Sequence, residues 1–383
     1  MTVAFKIPPR RILVRGVNWL GDAVMTTPAL LRLREKFPAA HITLLTPEKL
    51  RELWFHHPAL DETISFAACE NVFSTGKKLR AGKFDLALVL PNSPRSALEV
   101  FFARIPHRIG YARPWRNLFL TQAVSPRTDA VKMRKLTAAE IRRRTGVAPV
   151  SNQIENKLET GATPVLHASA HQIHEYLHLA AALGANPEPL APQLYVTLEE
   201  IETARKKFRL ENISQPIFGL NPGAEYGPAK RWPVEKFIAA VKEIQQRTDC
   251  VWLIFGGRSD MEIASRIAGE ITHHASRITH LNLAGQTSLR ELMALLKQCR
   301  VLLTNDTGPM HVAAALGTPV VVPFGSTLPE LTGPWLPGDP RHRLLKSDAP
   351  CSPCFLRECP IDFRCMNGIS VGRVVEAVLS AAN

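Results

Sequence analysis

The run Asn305-Asp-Thr-Gly-Pro-Met-His311 sets a carboxylate (Asp306), a hydroxyl (Thr307) and an imidazole (His311) around a Gly-Pro pair. An apolar stretch, Val301 to Leu303, precedes it, and Val312-Ala-Ala-Ala-Leu-Gly317 and a second apolar stretch, Val320 to Val322, follow. That order predicts a buried strand, a tight turn, a helix and another parallel strand. Gly308 permits a sharp turn and close backbone approach. Pro309 suits the first helical position, where a missing N–H costs nothing, and Gly317 stops the helix. The helix start then opens at the carboxyl edge of a sheet, where unpaired N–H groups and the positive dipole end favour an anion such as a diphosphate. An ordinary capped strand–helix turn has the same local pattern.

Other chemistry-bearing residues fall at comparable places. Asp22 follows the apolar run Arg11-Ile-Leu-Val-Arg15 inside the loop Gly16-Val-Asn-Trp-Leu-Gly21-Asp22, so its carboxylate can project into a cleft or merely cap a helix. Lys230 lies in Asn221-Pro-Gly-Ala-Glu-Tyr-Gly-Pro-Ala-Lys-Arg-Trp-Pro233, a long glycine-rich loop that also holds Gly223 and Ala224. Long loops at this edge tend to bind ligands. Asp260 and Glu262 follow Gly256-Gly257, where a carboxylate suits ribose hydroxyls or a helix dipole equally.

The elements needed to position these groups are legible as alternating strands and helices. A first set comprises strand 11–15, a helix from Asp22 towards Lys36, strand 41–45, strand 85–90 and a helix over 168–184. At Thr27-Pro28 the first helix either begins afresh or bends. Residues 104–165 are basic and loop-rich, and Arg142-Arg143-Arg144 fits a solvated helix face. Prolines at 187, 189 and 192 mark a linker. A second set follows: strands 216–220, 251–255, 281–283 and 301–303, with helices 233–247, from 260, and 288–299. The expected fold is α/β, with two doubly wound, Rossmann-like domains facing across a cleft, and ligands at the carboxyl ends of strands. The expected boundaries are 1–186, 187–368, and a terminal helix over 369–383 that packs back on the first domain.

The 383 residues suffice for two domains with ordinary cores, and 45% hydrophobic content fits a globular chain. No apolar run is long enough to span a bilayer, and MTVAFKIPPRR has no apolar signal core, which points to a cytoplasmic chain. The net charge of +13 is uneven: residues 1–190 carry 26 Lys and Arg against 15 Asp and Glu, whereas 191–383 carry 21 against 19. The basic half should attract a polyanion or an anionic membrane. The aromatic-plus-basic strand pattern of RNA binders is absent, so no nucleic-acid partner is expected. No G-x-G-x-x-G follows a first strand, which argues against a dinucleotide oxidoreductase.

Trp19-Leu-Gly-Asp22 with Thr27-Pro-Ala-Leu30, the Asn221–Pro233 loop and Asp306-Thr-Gly-Pro-Met-His311, in that order, resemble the lipopolysaccharide heptosyltransferases, the ADP-heptose family of glycosyltransferases (family nine). Asn92-Ser93, Arg95-Ser96 and Arg108-Ile-Gly-Tyr111 are also similar to that family, and Pro222–Pro233 looks closest to members that add the second heptose. The resemblance implies a GT-B fold with an acceptor-binding amino-terminal domain and a donor-binding carboxy-terminal one. It implies ADP-L-glycero-D-manno-heptose as donor and heptosyl-Kdo2-lipid A as acceptor, with inversion in one displacement. A related transferase using another ADP- or UDP-sugar, or another core position, fits the same motifs.

By resemblance Asp22 is the general base. Gly223, Ala224, Lys230, Asp306, Thr307, Gly308 and His311 bind the donor, with Asp260 or Glu262 on the ribose. Gly21, Ser93, Arg95, Arg108 and Arg113 contact the acceptor, and Arg104 and Arg116 join them as candidates for its phosphates. The departing ADP needs fixed positive donors rather than a strong acid. No Asp-x-Asp occurs, Asp260-x-Glu262 being nearest, so neither a metal nor a cofactor is expected. The chain is expected to act as a monomer in peripheral, salt-sensitive contact with the anionic cytoplasmic face of the inner membrane. Cys351-x-x-Cys354-x4-Cys359-x5-Cys365 lacks the second C-x-x-C of a zinc ribbon and reads first as structural or redox-inert thiols, with zinc the alternative.

Overall fold

The computed structural model describes residues 7–131, 133–147, 168–271, 279–334 and 339–383. The carboxy-terminal part of the basic, loop-rich stretch, 148–165, lies outside them. Among the described residues, twelve strands form two six-stranded sheets. The first contains β1 (Arg11–Arg15), β2 (His41–Pro47), β3 (Glu62–Phe66), β4 (Leu86–Val89), β5 (His107–Tyr111) and β6 (Gln122–Val124), in the order β3-β2-β1-β4-β5-β6. The second contains β7 (Ile217–Asn221), β8 (Val251–Ile254), β9 (His280–Asn282), β10 (Val301–Thr304), β11 (Val320–Phe324) and β12 (Arg343–Lys346), in the order β12-β11-β10-β7-β8-β9. Every pairing is parallel.

Each sheet therefore follows the doubly wound order, in which the chain reverses direction beside its first strand. The reversals fall between β1 and β4 and between β7 and β10. Parallel strands covered on both faces need continuous apolar runs, and Ile12, Leu13 and Val14 of β1 and Val301, Leu302 and Leu303 of β10 are fully buried. Leu13, Leu45, Ala87, Val89 and Val100 centre one core. Phe218, Trp232, Phe237, Trp252 and Val321 belong to the other.

Three of these readings can be placed on the structure. The helix from Asp22 to Lys36 is two helices, Leu20–Met25 and Thr27–Lys36, joined at Thr26. Pro28 lies in the first turn of the second, and the Thr26 and Thr27 hydroxyls donate back to the Ala23 and Val24 carbonyls at 2.7 and 2.8 Å. The terminal helix Val371–Ala382, expected to return to the first domain, groups with the second unit. Its buried side, with Val374, Val375 and Val378, lies on helix Val234–Arg247 and strands β10 and β11.

The expected boundary at 187 also shifts. Contacts group Met1–Ala130 with Gln172–Glu202 and Leu289–Ala294, and Val131–His171 with Thr203–Ser288 and Leu295–Asn383. The proline-rich segment belongs to the first unit because Thr27 Oγ1 accepts from Gln193 N at 3.1 Å and Arg32 Nε donates to the Glu188 carbonyl at 3.0 Å. Helix Ala138–Thr145 begins with a Thr137–Glu140 capping box and ends at Gly146 with φ 66°. Its Ile141 packs with Leu136, Cys351 and Cys354, which ties it to the second unit.

Candidate functional site

In the first unit the loops after β1 and β4 meet at the topological reversal. Asp22 stands in the first turn of Leu20–Met25, half-buried, and its Oδ1 accepts from Gln172 Nε2 at 3.1 Å. Gln172 also donates to the Tyr176 hydroxyl at 3.0 Å. Burial, and then the Asp22 charge, hold the Tyr176 phenol well above its ordinary range, so it stays protonated. Gly21 is the adjacent residue of the same turn.

Beside it, the loop after β4 leads into helix Pro94–Phe102. Ser93 is its N-cap, accepting from Ser96 N at 3.3 Å. Arg95 reaches back to Glu99 at 3.0 Å, and Glu99 also takes Arg15 Nε at 2.7 Å. The Arg15–Glu99 pair is fully buried, and Arg15 also lies 4.6 Å from the Phe66 ring centre. One carboxylate thus ties the end of β1 to the helix carrying Arg95. Arg113 follows β5 at the same edge, bonding the Ala112 carbonyl at 3.2 Å.

Two of the expected acceptor arginines are placed otherwise. Arg108 pairs in register with Ala87, near the start of β4. At about 3.3 Å per residue it sits well back from the carboxyl edge, and its guanidinium serves the Phe119 and Ile105 carbonyls. Arg116 is fully buried, donating to the Tyr111, Val89 and Asn92 oxygens. A Cβ on Gly110 would lie 2.6 Å from its Nη2, so the glycine makes room for it. Arg104 is exposed beyond helix Pro94–Phe102, with φ 60°.

In the second unit the loops after β7 and β10 again meet at the reversal. Lys230 Nζ is 2.6 Å from Asp306 Oδ2, with the side chains only 14% and 4% exposed. Asp306 also accepts from Thr327 Oγ1 at 2.5 Å, and the ammonium lies 5.0 Å from the Tyr226 ring centre. Thr307 is the N-cap of helix Gly308–Ala315 and makes no side-chain capping bond. Gly308 is the first helical residue, so Pro309 is second rather than first. A cation and a helix start therefore stand together, as a diphosphate requires.

The Asn305 side chain positions this loop. It is fully buried, donates to the Pro222 and Gly223 carbonyls at 2.7 and 3.4 Å, and accepts from Trp232 N at 2.9 Å. At Gly227, with φ 148°, a Cβ would lie 2.5 Å from the Arg357 carbonyl oxygen. Gly223 abuts Asp260, whose Cγ would be 2.4 Å from a Cβ there. Ala224 is buried in the same loop. Asp260 caps Gly257 N at 3.0 Å and points Oδ1 towards Arg231 at 3.9 Å, whereas Glu262 is exposed two residues further along. Asp260 therefore joins the site more closely than Glu262 does.

His311 is buried in the first turns of the helix, and its Nδ1 has no hydrogen-bond partner among the described residues. Burial lowers its pKa to about 4, against the smaller opposing pull of Asp306, so the ring is neutral at pH 7. None of the seven cysteines forms a disulfide, and Cys351, Cys354 and Cys365 are buried. Among the described residues no three His, Cys, Asp or Glu side chains are grouped to hold a metal ion.

Sequence reasoning missed Gln172, Glu99, Arg15, Asn305 and Thr327. Thr327 had a usable signal, since Gly325-Ser-Thr327 follows a strand as the other site loops do. The rest act over long sequence separations with no periodic signature.

Two parallel sheets of doubly wound order have the GT-B architecture. The profile of glycosyltransferase family 9 (heptosyltransferase) matches residues 72–141 and 135–363, and the chain belongs to this family. It is 31% identical to lipooligosaccharide heptosyltransferase 2 of Haemophilus ducreyi, covering 85% of this chain and 86% of that one. It is 32% identical to lipopolysaccharide heptosyltransferase 2 of Escherichia coli K12, covering 85% of each. The solved structure of E. coli ADP-heptose LPS heptosyltransferase II superposes with a TM-score of 0.74 at 27% identity, covering 97% of this chain and 98% of that one.

Proposed function

We propose that this glycosyltransferase moves L-glycero-D-manno-heptose from ADP-heptose to the heptosyl-Kdo2-lipid A inner core, adding the second heptose. The observation that carries the reading is Lys230 pinned to Asp306 beside the start of helix Gly308–Ala315, in a family-nine chain whose relatives bear that activity in their names. Asp22 takes the proton from the attacking acceptor hydroxyl as the new glycosidic bond forms. Gln172 holds that carboxylate by one oxygen. The anomeric carbon inverts as its bond to ADP breaks. Lys230 and the N–H groups at Gly308 meet the charge growing on the diphosphate. Asp260, beside Gly223, takes the ribose hydroxyls, and His311 stays neutral beneath the phosphates. Ser93, Arg95 and Arg113 receive the acceptor. No helix among the described residues is long and apolar enough to cross a membrane, and the enzyme works as a peripheral protein at the cytoplasmic face of the inner membrane.

The test is ADP release with ADP-heptose and defined truncated cores, comparing wild type with Asp22→Asn. Turnover with the monoheptosylated core should exceed that with the heptose-free core. The substitution should lower kcat by about 10²–10⁴-fold with ADP affinity unchanged. Full activity in Asp22→Asn refutes the assignment of the base, and turnover only with a different nucleotide sugar refutes that of the donor.

A further inference from the structure

Helices Val72–Arg80 and Pro94–Phe102 pack together on one face of the first sheet, with Gly76 directly against Phe102. Their outer side carries large apolar groups in water: Phe73 is 64% exposed and Phe101 39%. These are not isolated rings. Phe73 lies 4.3 Å from Phe102, Phe102 lies 5.5 Å from Phe101, and Phe101 lies 5.4 Å from Phe119, centre to centre. Arg80, Arg104 and Arg108 border Phe101 and Phe102 around a groove of about 440 Å³.

The charge on this side is one-signed. From Asn71 to Arg104 the chain has six Lys and Arg (Lys77, Lys78, Arg80, Lys83, Arg95, Arg104) and two carboxylates. Both carboxylates are committed elsewhere. Asp85 takes the backbone N–H groups of Arg10 and Arg11 at 2.8 and 2.9 Å, and Glu99 is buried against Arg15 and Arg95. At the rim, Glu70 is turned to the Thr75 hydroxyl and the Ala67 N–H. Exposed aromatics ringed by unneutralised basic side chains are what an interfacial membrane contact requires: the rings enter the headgroup boundary and the cations meet lipid phosphates.

We propose that this outer face, with Phe73 and Phe101 as anchors and Lys77, Arg80 and Arg104 as phosphate contacts, seats the first domain on an anionic bilayer. The proposal rests on the heptosyltransferase reading only in that a lipid-linked acceptor gives such seating a use. Ser93 and Arg95 begin the second of these helices, so the expected acceptor contacts adjoin the seated face.

Flotation of the full chain with vesicles of phosphatidylcholine, alone or mixed with phosphatidylglycerol, tests it. Wild type should float with the anionic vesicles and be released by high salt. Neutralising one lysine or arginine at the surface should weaken binding about five-fold, and Lys77→Gln/Arg80→Gln/Arg104→Gln together on the order of 100-fold. Phe73→Ser should weaken anionic-vesicle binding while leaving heparin binding unchanged, since only a bilayer receives the ring. Equal flotation of wild type and the triple variant overturns the proposal, and so does undiminished flotation of Phe73→Ser/Phe101→Ser. If Phe101→Ser fails to fold by melting temperature, Phe73→Ser/Lys77→Gln decides alone. ADP release on a delipidated, soluble acceptor separates the two readings. A chain that floats through this face but turns over no ADP-heptose refutes the enzyme reading alone, and one active on the soluble acceptor but never floating refutes the membrane face alone.

Discussion

Lys230→Met removes the ammonium that faces Asp306 and, on the reading above, the donor diphosphate. The two consequences can be separated. Asp306 is 4% exposed and loses its charge partner, keeping the Thr327 hydroxyl at 2.5 Å. Breaking a buried ion pair by deleting one partner costs about 3–5 kcal/mol, and the surviving hydroxyl bond argues for the lower end, about 3 kcal/mol. Loss of a charged contact to a phosphate costs about 1.5–3 kcal/mol, or roughly a 10- to 100-fold higher Kd for ADP. In Lys230→Met/Asp306→Asn the unpaired charge is gone, and the amide still accepts from Thr327. Most of the stability should return, whereas ADP affinity should not. Calorimetric unfolding measures the first quantity and isothermal titration with ADP the second. A single-variant stability loss below about 1 kcal/mol would mean that the carboxylate is not dry. Recovery of ADP binding in the double variant would mean that Lys230 does not touch the phosphates.

Two further outcomes follow from geometry and burial. Burial lowers the pKa of His57, His311 and His342 to about 4 from the ordinary 6.5. The unfolded chain therefore binds more protons between those values. The stability these rings contribute is complete above pH 6.5 and is lost as pH falls towards 4, at about 1–2 kcal/mol per ring by pH 5. Denaturation midpoints at pH 7 and pH 5 should show this fall, and His311→Gln should make it shallower; an unchanged slope refutes the assignment. Gly227→Ala combines φ 148° with a Cβ 2.5 Å from a backbone oxygen, so it should cost about 1–3 kcal/mol and weaken ADP binding by displacing Lys230. Wild-type melting and ADP affinity in that variant would show that the loop accommodates a side chain.

The sheets were legible because buried parallel strands need uninterrupted apolar runs, and Val301–Leu303 and Ile12–Val14 supply them between glycine- and proline-marked loops. The loops carrying Asp22, Lys230 and Asp306 followed from the same alternation. What periodicity does not encode is which distant side chain completes a site. Gln172 reaches Asp22 from 150 residues away, and Glu99 reaches Arg15 from 84. Residue type without register does not place a side chain: Arg108 lies early in β5 rather than at its end, and Arg116 turns inward over Gly110. The terminal helix displays its apolar stripe in Val374, Val375 and Val378, but a stripe does not name the sheet it covers.

Both ends of the 222–232 segment hang from the single amide of Asn305. The segment is thus a hoop shut by a non-covalent clasp. The entropy of closing such a hoop is lost when the chain folds, not when a guest arrives. Asp at 305 would keep the accepting oxygen for Trp232 but forfeit the donor that grips Pro222. The hoop would then be tied less firmly, and part of its ordering would fall to the guest, which would be held more weakly.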